Sequence, residues 1–266
     1  MGTSQLSAGR VFKVERFKSR LLRVERDLII YLPPGYDEQP NRRFPILYLQ
    51  DGQNLFDPAT SFIPGKYWHV GETADHFIGT GAIQPLIIVG IYNLGKRRLR
   101  EYTPTRSGRL GGGKADRYLR MITEELRRYM ESNYRVLPDA WHTGFGGSSL
   151  GGLLALYAGL RYPQVFGQVA ALSPSVWWDR GWIHRFAARA DVHPRPRIWL
   201  DIGTREGQRI VPSVERFRDV LYGRGWSRDR DLHFEIIEGG EHNEEAWAGR
   251  VGGFLQFLFP ASEGAV

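Results

Sequence analysis

The stretch GGSSLGGLLALY, residues 146–157, decides the fold because it joins two segments of different periodicity. Before it, WHTGFGG (141–147) is short and predicts a strand. After it, LGGLLALYAGLRY (150–162) predicts a buried helix that is apolar on most sides. Between them, residues 147–151 read Gly-Ser-Ser-Leu-Gly, which fits the pattern G-x-S-x-G. A strand, a sharp turn and a helix in this order hold the hydroxyl of the central serine above the edge of a sheet.

Glycines flank this turn for a steric reason. The central residue adopts strained backbone angles, and its neighbours two positions away approach the following helix and strand so closely that only small side chains fit. We therefore interpret Ser149 as a nucleophile. The N–H of Leu150, at the start of the helix, is expected to face a developing oxyanion. Ser148 is one position off in register and is expected to point elsewhere.

Strands and helices alternate along the rest of the chain, which is typical of an α/β protein with a mostly parallel sheet and helices on both faces. FPILYLQ (44–50) and PLIIVGIY (85–92) are continuous apolar runs, as buried parallel strands require. The two N-terminal strands are joined by a short connection and are expected to form an antiparallel edge. The other predicted elements are strands at 10–17, 23–33, 165–174, 197–204 and 232–240, and helices around 115–134, 214–222 and 243–259.

Composition favours a globular protein over a membrane-spanning or disordered one. The chain has 266 residues, of which 42% are hydrophobic and 24% charged, enough to bury a sizeable core in a single domain over residues 1–266. No run of about 18 apolar residues predicts a transmembrane helix, and residues 1–20 lack the apolar segment of a signal peptide. We expect a cytoplasmic protein with no membrane partner.

Composition also excludes some chemistry. The chain has no cysteine, which rules out disulfides, thiolate catalysis and cysteine metal sites. Its seven histidines are scattered without the spacing of metal ligands. We therefore expect neither a metal nor a cofactor.

The formal net charge of +7 raises the question of an anionic partner. Between Lys96 and Arg120 the sequence has nine basic and two acidic residues. The simplest interpretation is a solvated loop and helix face, and we expect no nucleic acid partner. A different class of function stays open, in which a catalytically silent module binds a polyanion through this segment.

A catalytic serine needs a base, and the base needs an acid that orients it. His242 lies in EGGEHNEEAW (238–247), the loop after the last predicted strand, and loops at the carboxyl ends of parallel strands carry chemistry. RIWLDIGTREG (197–207) offers two acids, Asp201 within the strand and Glu206 in the loop beyond it. The loop position favours Glu206, with Asp201 as the alternative.

Six pieces of the sequence together resemble the esterase D-like family of α/β-hydrolases, also called the "putative esterase" family, and in particular its enterochelin esterase and feruloyl esterase-type branch. They are FPILYLQDGQNLFD (44–57), RLREYTPTR (98–106), GGSSLGGLLALY (146–157), ALSPSVWW (171–178), DIGTREG (201–207) and GGEHNEEAW (239–247), in family order. The resemblance implies an α/β-hydrolase fold and a carboxylic ester hydrolase that acts on small-molecule esters. It implies Ser149 as nucleophile, Glu206 as acid and His242 as base, although many relatives have Asp at the position of Glu206.

The resemblance also implies a second oxyanion donor in the loop DGQN (51–54). The backbone N–H of Gln53 is the expected donor, with that of the neighbouring Gly52 as the alternative. Transfer of the acyl group to an alcohol other than water would use the same residues, so an acyltransferase remains an alternative to a hydrolase.

Three further residues are predicted to contact substrate. Trp177 and Trp178, in LSPSVWW (172–178), follow a predicted strand; one is expected to pack in the core and the other to line the substrate pocket. Arg98 is expected either to brace its loop by pairing with Glu101 or to bind an anionic substrate group through its planar fork. The sequence does not predict the oligomeric state.

Overall fold

The protein is built around a central β-sheet. A computed structural model describes residues 8–261, and the predicted domain bounds also take in residues 1–7 and 262–266, which lie outside the described residues. The strands are β1 (Arg10–Ser19), β2 (Val24–Leu32), β3 (Ile46–Gln50), β4 (Ile87–Ile91), β5 (Arg106–Ser107), β6 (Gly111–Gly112), β7 (Thr143–Ser148), β8 (Gln168–Leu172), β9 (Arg197–Gly203) and β10 (Leu232–Ile237). Eight of them form one sheet in the order β1-β2-β4-β3-β7-β8-β9-β10, and β5 pairs with β6 in a separate ribbon.

Strand directions follow the sequence prediction. β2 runs antiparallel to both β1 and β4. Every other neighbouring pair in the large sheet is parallel. A mostly parallel sheet with an antiparallel N-terminal edge is therefore confirmed. The carboxyl ends of parallel strands lie on one edge, so the loops after β3, β7, β9 and β10 meet at a common rim.

The helices pack on this sheet. They are α1 (Val70–Gly79), α2 (Arg98–Tyr102), α3 (Ala115–Arg120), α4 (Arg127–Asn133), α5 (Leu150–Arg161), α6 (Trp178–Arg189), α7 (Ile210–Gly223), α8 (Glu244–Ala248) and α9 (Val251–Leu258). The predicted helix around 115–134 is present, with a π-helical turn, Met121–Leu126, between α3 and α4. Within residues 8–261, none of the helices combines the length and the apolar character that a membrane span requires.

One predicted helix differs from the structure, and two observed helices have no counterpart in the sequence prediction. The segment around 243–259 forms two helices, α8 and α9, rather than one. The sequence pattern predicts neither α1 nor α6. In α6 the pattern is broken because Asp179, Arg180 and Gly181 all have left-handed backbone angles, and such a run interrupts the helical spacing of apolar side chains.

Both faces of the sheet are buried, which explains the continuous apolar runs of the central strands. Successive side chains of a strand point to opposite faces. Accordingly, Ile46 and Tyr48 of β3 belong to one hydrophobic cluster, together with residues of α3 and α5. Leu47 and Leu49 belong to a second cluster, together with residues of α1 and α9. The site described below is built where these packed strands end.

Candidate active site

The turn between β7 and α5 has the strained geometry that the G-x-S-x-G pattern predicts. Ser149 has φ 58° and ψ −120°, a conformation that side-chain-bearing residues rarely adopt. A Cβ added at Gly147 would lie 3.0 Å from Gln50 Cβ and 3.1 Å from Gly151, so even alanine would press on its neighbours. Two backbone hydrogen bonds fix the turn: Ser149 N donates to Leu172 O at 3.0 Å, and Ser175 N donates to Ser149 O at 2.9 Å.

The loops after β9 and β10 are joined so closely that they bring an acid and a histidine together. A Cβ at Gly203 would lie 2.3 Å from Gly240 O, so this approach requires glycine. Arg205 N donates to Gly240 O at 3.0 Å across the same junction. As a result, His242 Nδ1 lies 2.7 Å from Glu206 Oε2. The Glu206 side chain is 1% exposed and that of His242 is 44% exposed.

The carboxylate of Glu206 is held in its ionised form. Burial by itself would raise its pKa, but hydrogen bonds from His242, from the Ser173 hydroxyl and from the Gly203 N–H outweigh burial, and the pKa of Glu206 is lowered. The Gly203 N–H donates to Glu206 Oε1 at 2.8 Å. An ionised acceptor suits a residue whose expected task is to orient an imidazole.

Asp201, the alternative acid, has different partners. It is completely buried. Its Oδ1 accepts from Arg250 Nη1 at 2.6 Å and its Oδ2 from Trp199 Nε1 at 2.7 Å. Burial raises the pKa of Asp201, and the Arg250 guanidinium opposes that rise. Glu206, and not Asp201, is therefore the carboxylate that contacts His242 within the described residues.

Sequence reasoning did not identify Arg250, which lies beneath both acids. It is 4% exposed. Besides its contact with Asp201, it places Nη2 3.5 Å from Glu206 Oε1 and donates from Nη1 to Ser173 Oγ at 2.8 Å. No sequence motif indicates this role, because Arg250 lies between α8 and α9 and meets Asp201 of β9 only in the folded protein.

Ser149 and His242 line one cavity of about 510 Å³. Ser149 Oγ lies 3.5 Å from Ser175 Oγ, and within residues 8–261 no hydrogen bond joins it to His242. Catalytic hydrogen bonds are often long until substrate binds. Ser148, which the sequence predicts to point elsewhere, contributes to the same cavity and is 4% exposed. The other lining residues include Asp51, Gln53, Asn54, Phe62, Ile63, Asn93, Arg98, Glu244 and Trp247.

Two predicted backbone donors are available near this cavity. Leu150 is the first residue of α5, where backbone N–H groups lack an intrahelical partner. Gln53 lies in a short 3₁₀ turn, Gly52–Asn54, and lines the cavity. Neither N–H donates to an acceptor within the described residues, and the same holds for Gly52. Gln53 lines the cavity, whereas Gly52 is not among its lining residues.

Arg98 braces its loop through a different residue from the one expected. Its Nε and Nη2 donate to the two carboxylate oxygens of Asp51 at 2.8 and 2.7 Å. Glu101, the predicted partner, pairs instead with the buried Arg26 at 3.1 Å. The predicted Arg98–Glu101 pair is therefore wrong, because Glu101 faces the interior beneath α2 and Asp51 faces the rim.

The two tryptophans lie apart from this cavity. Trp178 is 2% exposed and its indole N–H donates to Thr105 O at 3.0 Å, so it is the member of the pair that packs in the core. Trp177 is 47% exposed and lines a different cavity, beside α6 and α7. The aromatic side chains that line the Ser149 cavity are Phe62 and Trp247, which sequence reasoning missed.

Comparison with known proteins agrees with this architecture. A family model described as Putative esterase matches residues 19–252. The chain belongs to this esterase family. The uncharacterized protein YbbA of Bacillus subtilis is 26% identical, over 88% of this chain and 92% of YbbA. The iron(III) salmochelin esterase of Escherichia coli is 29% identical, over 85% of this chain and 52% of the relative, so the chain spans about half the length of that enzyme. The solved enterobactin esterase FES of Shigella flexneri has a TM-score of 0.76 at 21% identity, over 96% of this chain and 60% of FES.

Membership of the esterase family makes the protein a carboxylic ester hydrolase, and the shared architecture confirms the expected α/β-hydrolase fold. An esterase is thereby favoured over the catalytically silent, polyanion-binding module. The basic segment that suggested such a module is also partly neutralised, since Arg98 pairs with Asp51 and Arg120 pairs with Glu124.

Proposed function

We propose that this esterase cleaves small-molecule esters through an acyl-enzyme on Ser149, with His242 as the general base and Glu206 as the acid that orients it. The 2.7 Å contact between Glu206 Oε2 and His242 Nδ1, beside the cavity that Ser149 also lines, carries the proposal. Because this contact occupies Nδ1, the lone pair of the imidazole is left on Nε2, where it can accept the proton of a serine hydroxyl.

In the first half of the reaction, Ser149 Oγ bonds to the carbonyl carbon while its proton passes to His242 Nε2. The carbonyl oxygen becomes an oxyanion, to which the N–H groups of Leu150 and Gln53 donate. The intermediate then collapses, the bond to the alcohol oxygen breaks, and that oxygen takes the proton from His242.

In the second half, water gives a proton to His242 and its oxygen bonds to the acyl carbon. Collapse of this second intermediate releases the carboxylic acid and returns the proton to Ser149 Oγ. The relatives named as salmochelin and enterobactin esterases support small-molecule esters as substrates. A cavity of about 510 Å³ supports the same class, because ligand pockets generally have a few hundred cubic ångströms.

Labelling with a fluorophosphonate, followed by mapping of the modified peptide, tests the proposal. We expect the label on Ser149 and no label in Ser149→Ala, whose kcat for p-nitrophenyl acetate should fall by roughly 10⁴-fold, because only oxyanion and binding effects remain. Ser148→Ala is the matched control and should keep substantial activity. A label on Ser148, or near wild-type turnover by Ser149→Ala, would refute the assignment.

A further inference from the structure

One buried hydrogen bond joins the two segments that carry the proposed oxyanion donor and the proposed base. Asn54 Nδ2 donates to Glu244 Oε1 at 3.1 Å, although the two residues are 190 positions apart in the chain. Asn54 ends the short turn that contains Gln53, and Glu244 begins α8, two residues after His242. Both side chains line the Ser149 cavity. The bond therefore connects close neighbours of two proposed reacting groups.

The strands alone do not determine the distance between these two groups. The turn with Gln53 follows β3, and the loop with His242 follows β10. In the sheet, β7, β8 and β9 lie between these strands. Four strand spacings of about 4.8 Å amount to roughly 19 Å, so the loops have to cross the rim to meet. Contacts between the loops therefore determine how far apart the two groups lie.

The side-chain amide of Asn54 is held in one orientation. Its Oδ1 accepts from the backbone N–H of Phe62 at 2.9 Å. The backbone of Asn54 is also fixed, since its N–H donates to Asp51 O at 2.9 Å and its carbonyl accepts from Trp68 N at 2.9 Å. A backbone N–H can only donate, so the amide oxygen has to face Phe62, and Nδ2 is left to donate to Glu244.

Glu244 supplies an acceptor to this contact. The residue is buried. Within residues 8–261 it forms no ion pair with a basic side chain, and burial raises the pKa of Glu244. Because its surroundings disfavour the charged form, the part of Glu244 that this contact uses is the oxygen acceptor, which an amide also has.

A second contact joins the segment after β3 to α8, but in different surroundings. Lys66 Nζ lies 2.8 Å from Glu245 Oε2, and these side chains are 47% and 72% exposed. Exposed ion pairs contribute little, because water and salt screen them. Asn54 and Glu244 are only 7% and 6% exposed. Their hydrogen bond is costly to break, because a buried donor or acceptor that loses its partner is left unsatisfied.

We propose that the hydrogen bond between Asn54 and Glu244 positions the oxyanion turn, Gly52–Asn54, relative to the base. It sets the distance between the backbone N–H of Gln53 and the imidazole of His242. In this role the two side chains act through their neighbours in the chain and contact no reacting atom. A loosened contact misaligns groups that act together in the transition state, so it lowers kcat more than it changes KM. This inference rests on the proposed function, which supplies the donor and the base.

Three nearly isosteric variants test the contact by changing only which side chain donates. Asn54→Asp keeps the oxygen that the N–H of Phe62 requires, but it replaces the Nδ2 donor by a carboxylate oxygen that faces Glu244. We expect a loss of roughly tenfold to hundredfold in kcat for p-nitrophenyl acetate, with KM within about threefold, because small displacements of catalytic groups are costly. Glu244→Gln keeps the acceptor and should retain kcat within about threefold of wild type.

The combined variant Asn54→Asp, Glu244→Gln reverses the direction of the hydrogen bond. The amide at position 244 can now donate to the carboxylate at position 54, so kcat should return to within about fivefold of wild type. Two independent defects would instead add in free energy and give no recovery. Absence of recovery, or a Glu244→Gln variant as impaired as Asn54→Asp, would overturn the inference.

Active-site titration separates positioning from a loss of folded protein. A fluorophosphonate reaction taken to completion counts the labelled sites, and kcat is expressed per labelled site. A purely structural role would lower the number of sites and leave kcat per site unchanged, which would also overturn the inference. Glu245→Gln is the matched control, because it removes the exposed pair with Lys66 from the same helix. Its kcat should stay within about twofold of wild type.

Failure of this inference and failure of the proposed function give different results. Turnover by Ser149→Ala at the wild-type rate would refute the proposed function, whatever the variants at positions 54 and 244 do. An inactive Ser149→Ala beside an Asn54→Asp variant with wild-type kcat per labelled site would leave the proposed function standing and refute the positioning contact.

Discussion

At the scale of single residues, Glu206 and Asp201 have different surroundings although β9 and its following turn carry both. Glu206 meets the partly exposed imidazole of His242, whereas Asp201 meets the buried guanidinium of Arg250. Replacing the carboxylate by a neutral amide is therefore expected to remove a different interaction at each of the two positions. At Glu206 it removes the carboxylate that contacts His242, the proposed base. At Asp201 it removes the nearer of the two carboxylates that face the buried guanidinium of Arg250.

We expect Glu206→Gln to fold normally and to lose about 10³-fold to 10⁴-fold in kcat, because the amide does not hold the required tautomer of histidine. Asp201→Asn should instead lose about 3–5 kcal/mol of unfolding free energy, with activity kept in the folded fraction. Urea titrations and kcat for both variants decide the matter. A stable, inactive Asp201→Asn beside an active Glu206→Gln would reverse the two roles.

The pH dependence of the same pair follows from the lowered pKa of Glu206. The carboxylate of Glu206 therefore stays ionised at pH values at which an unperturbed glutamate would begin to take up a proton. The pKa of Glu206 is lower in the folded protein than the value of about 4.3 expected in the unfolded chain, so its ionisation stabilises the folded state at pH values above that unfolded value. This stabilisation is lost as the pH falls through the pKa that Glu206 has in the folded protein. The stability difference between wild type and Glu206→Gln should accordingly shrink at acid pH.

Some site residues could be predicted from the sequence and others could not, for a physical reason. Ser149 is determined by local sterics, and His242 and Glu206 by their loops after parallel strands, so short patterns are enough to propose them. Arg250 and Phe62 reach the site only through tertiary packing. No spacing along the chain encodes those contacts.

At the scale of elements, the Arg98–Asp51 pair joins α2 to the turn after β3. Asp51 has left-handed backbone angles, φ 58° and ψ 49°, and directly precedes the Gly52–Asn54 turn. Asn93 Nδ2 donates to the same carboxylate at 2.7 Å. The pair therefore holds in place the turn that contains the proposed Gln53 donor.

We expect Arg98→Gln to lower kcat/KM by about tenfold for neutral and anionic esters alike, because a displaced oxyanion donor affects every substrate. Kinetics with a neutral ester and an anionic ester of equal size provide the measurement, and Arg100→Gln, on the same helix, provides the control. A loss confined to the anionic ester would show that Arg98 contacts substrate rather than bracing the turn.

Element boundaries show where sequence patterns stop being informative. The strands of the sheet centre are recognisable because both of their faces are buried. α1 has Val70, Ala74 and Ile78 at four-residue spacing, all buried, but the segment is short. In α6 the left-handed run at Asp179–Gly181 interrupts the helical pattern of the sequence.

At the scale of the whole molecule, the order of the strands places the proposed reactive groups at two different parts of the sheet. Gln53 follows β3 and Ser149 follows β7, which are neighbours near the centre of the sheet. Glu206 follows β9 and His242 follows β10, which pair at one edge. The site is thus assembled from distant parts of the chain, and Arg250 anchors the segment after His242 to β9.

This arrangement makes hydrolysis a reporter of cooperative folding. The groups are spread over about 200 residues of the chain, and a buried ion pair between Arg250 and Asp201 anchors the segment after His242 to β9. In a urea titration, the midpoint of activity loss should therefore coincide with the midpoint of far-ultraviolet circular dichroism, as all-or-none unfolding requires. Loss of turnover at clearly lower urea would instead reveal that β10 and its loop open as a separate cooperative unit.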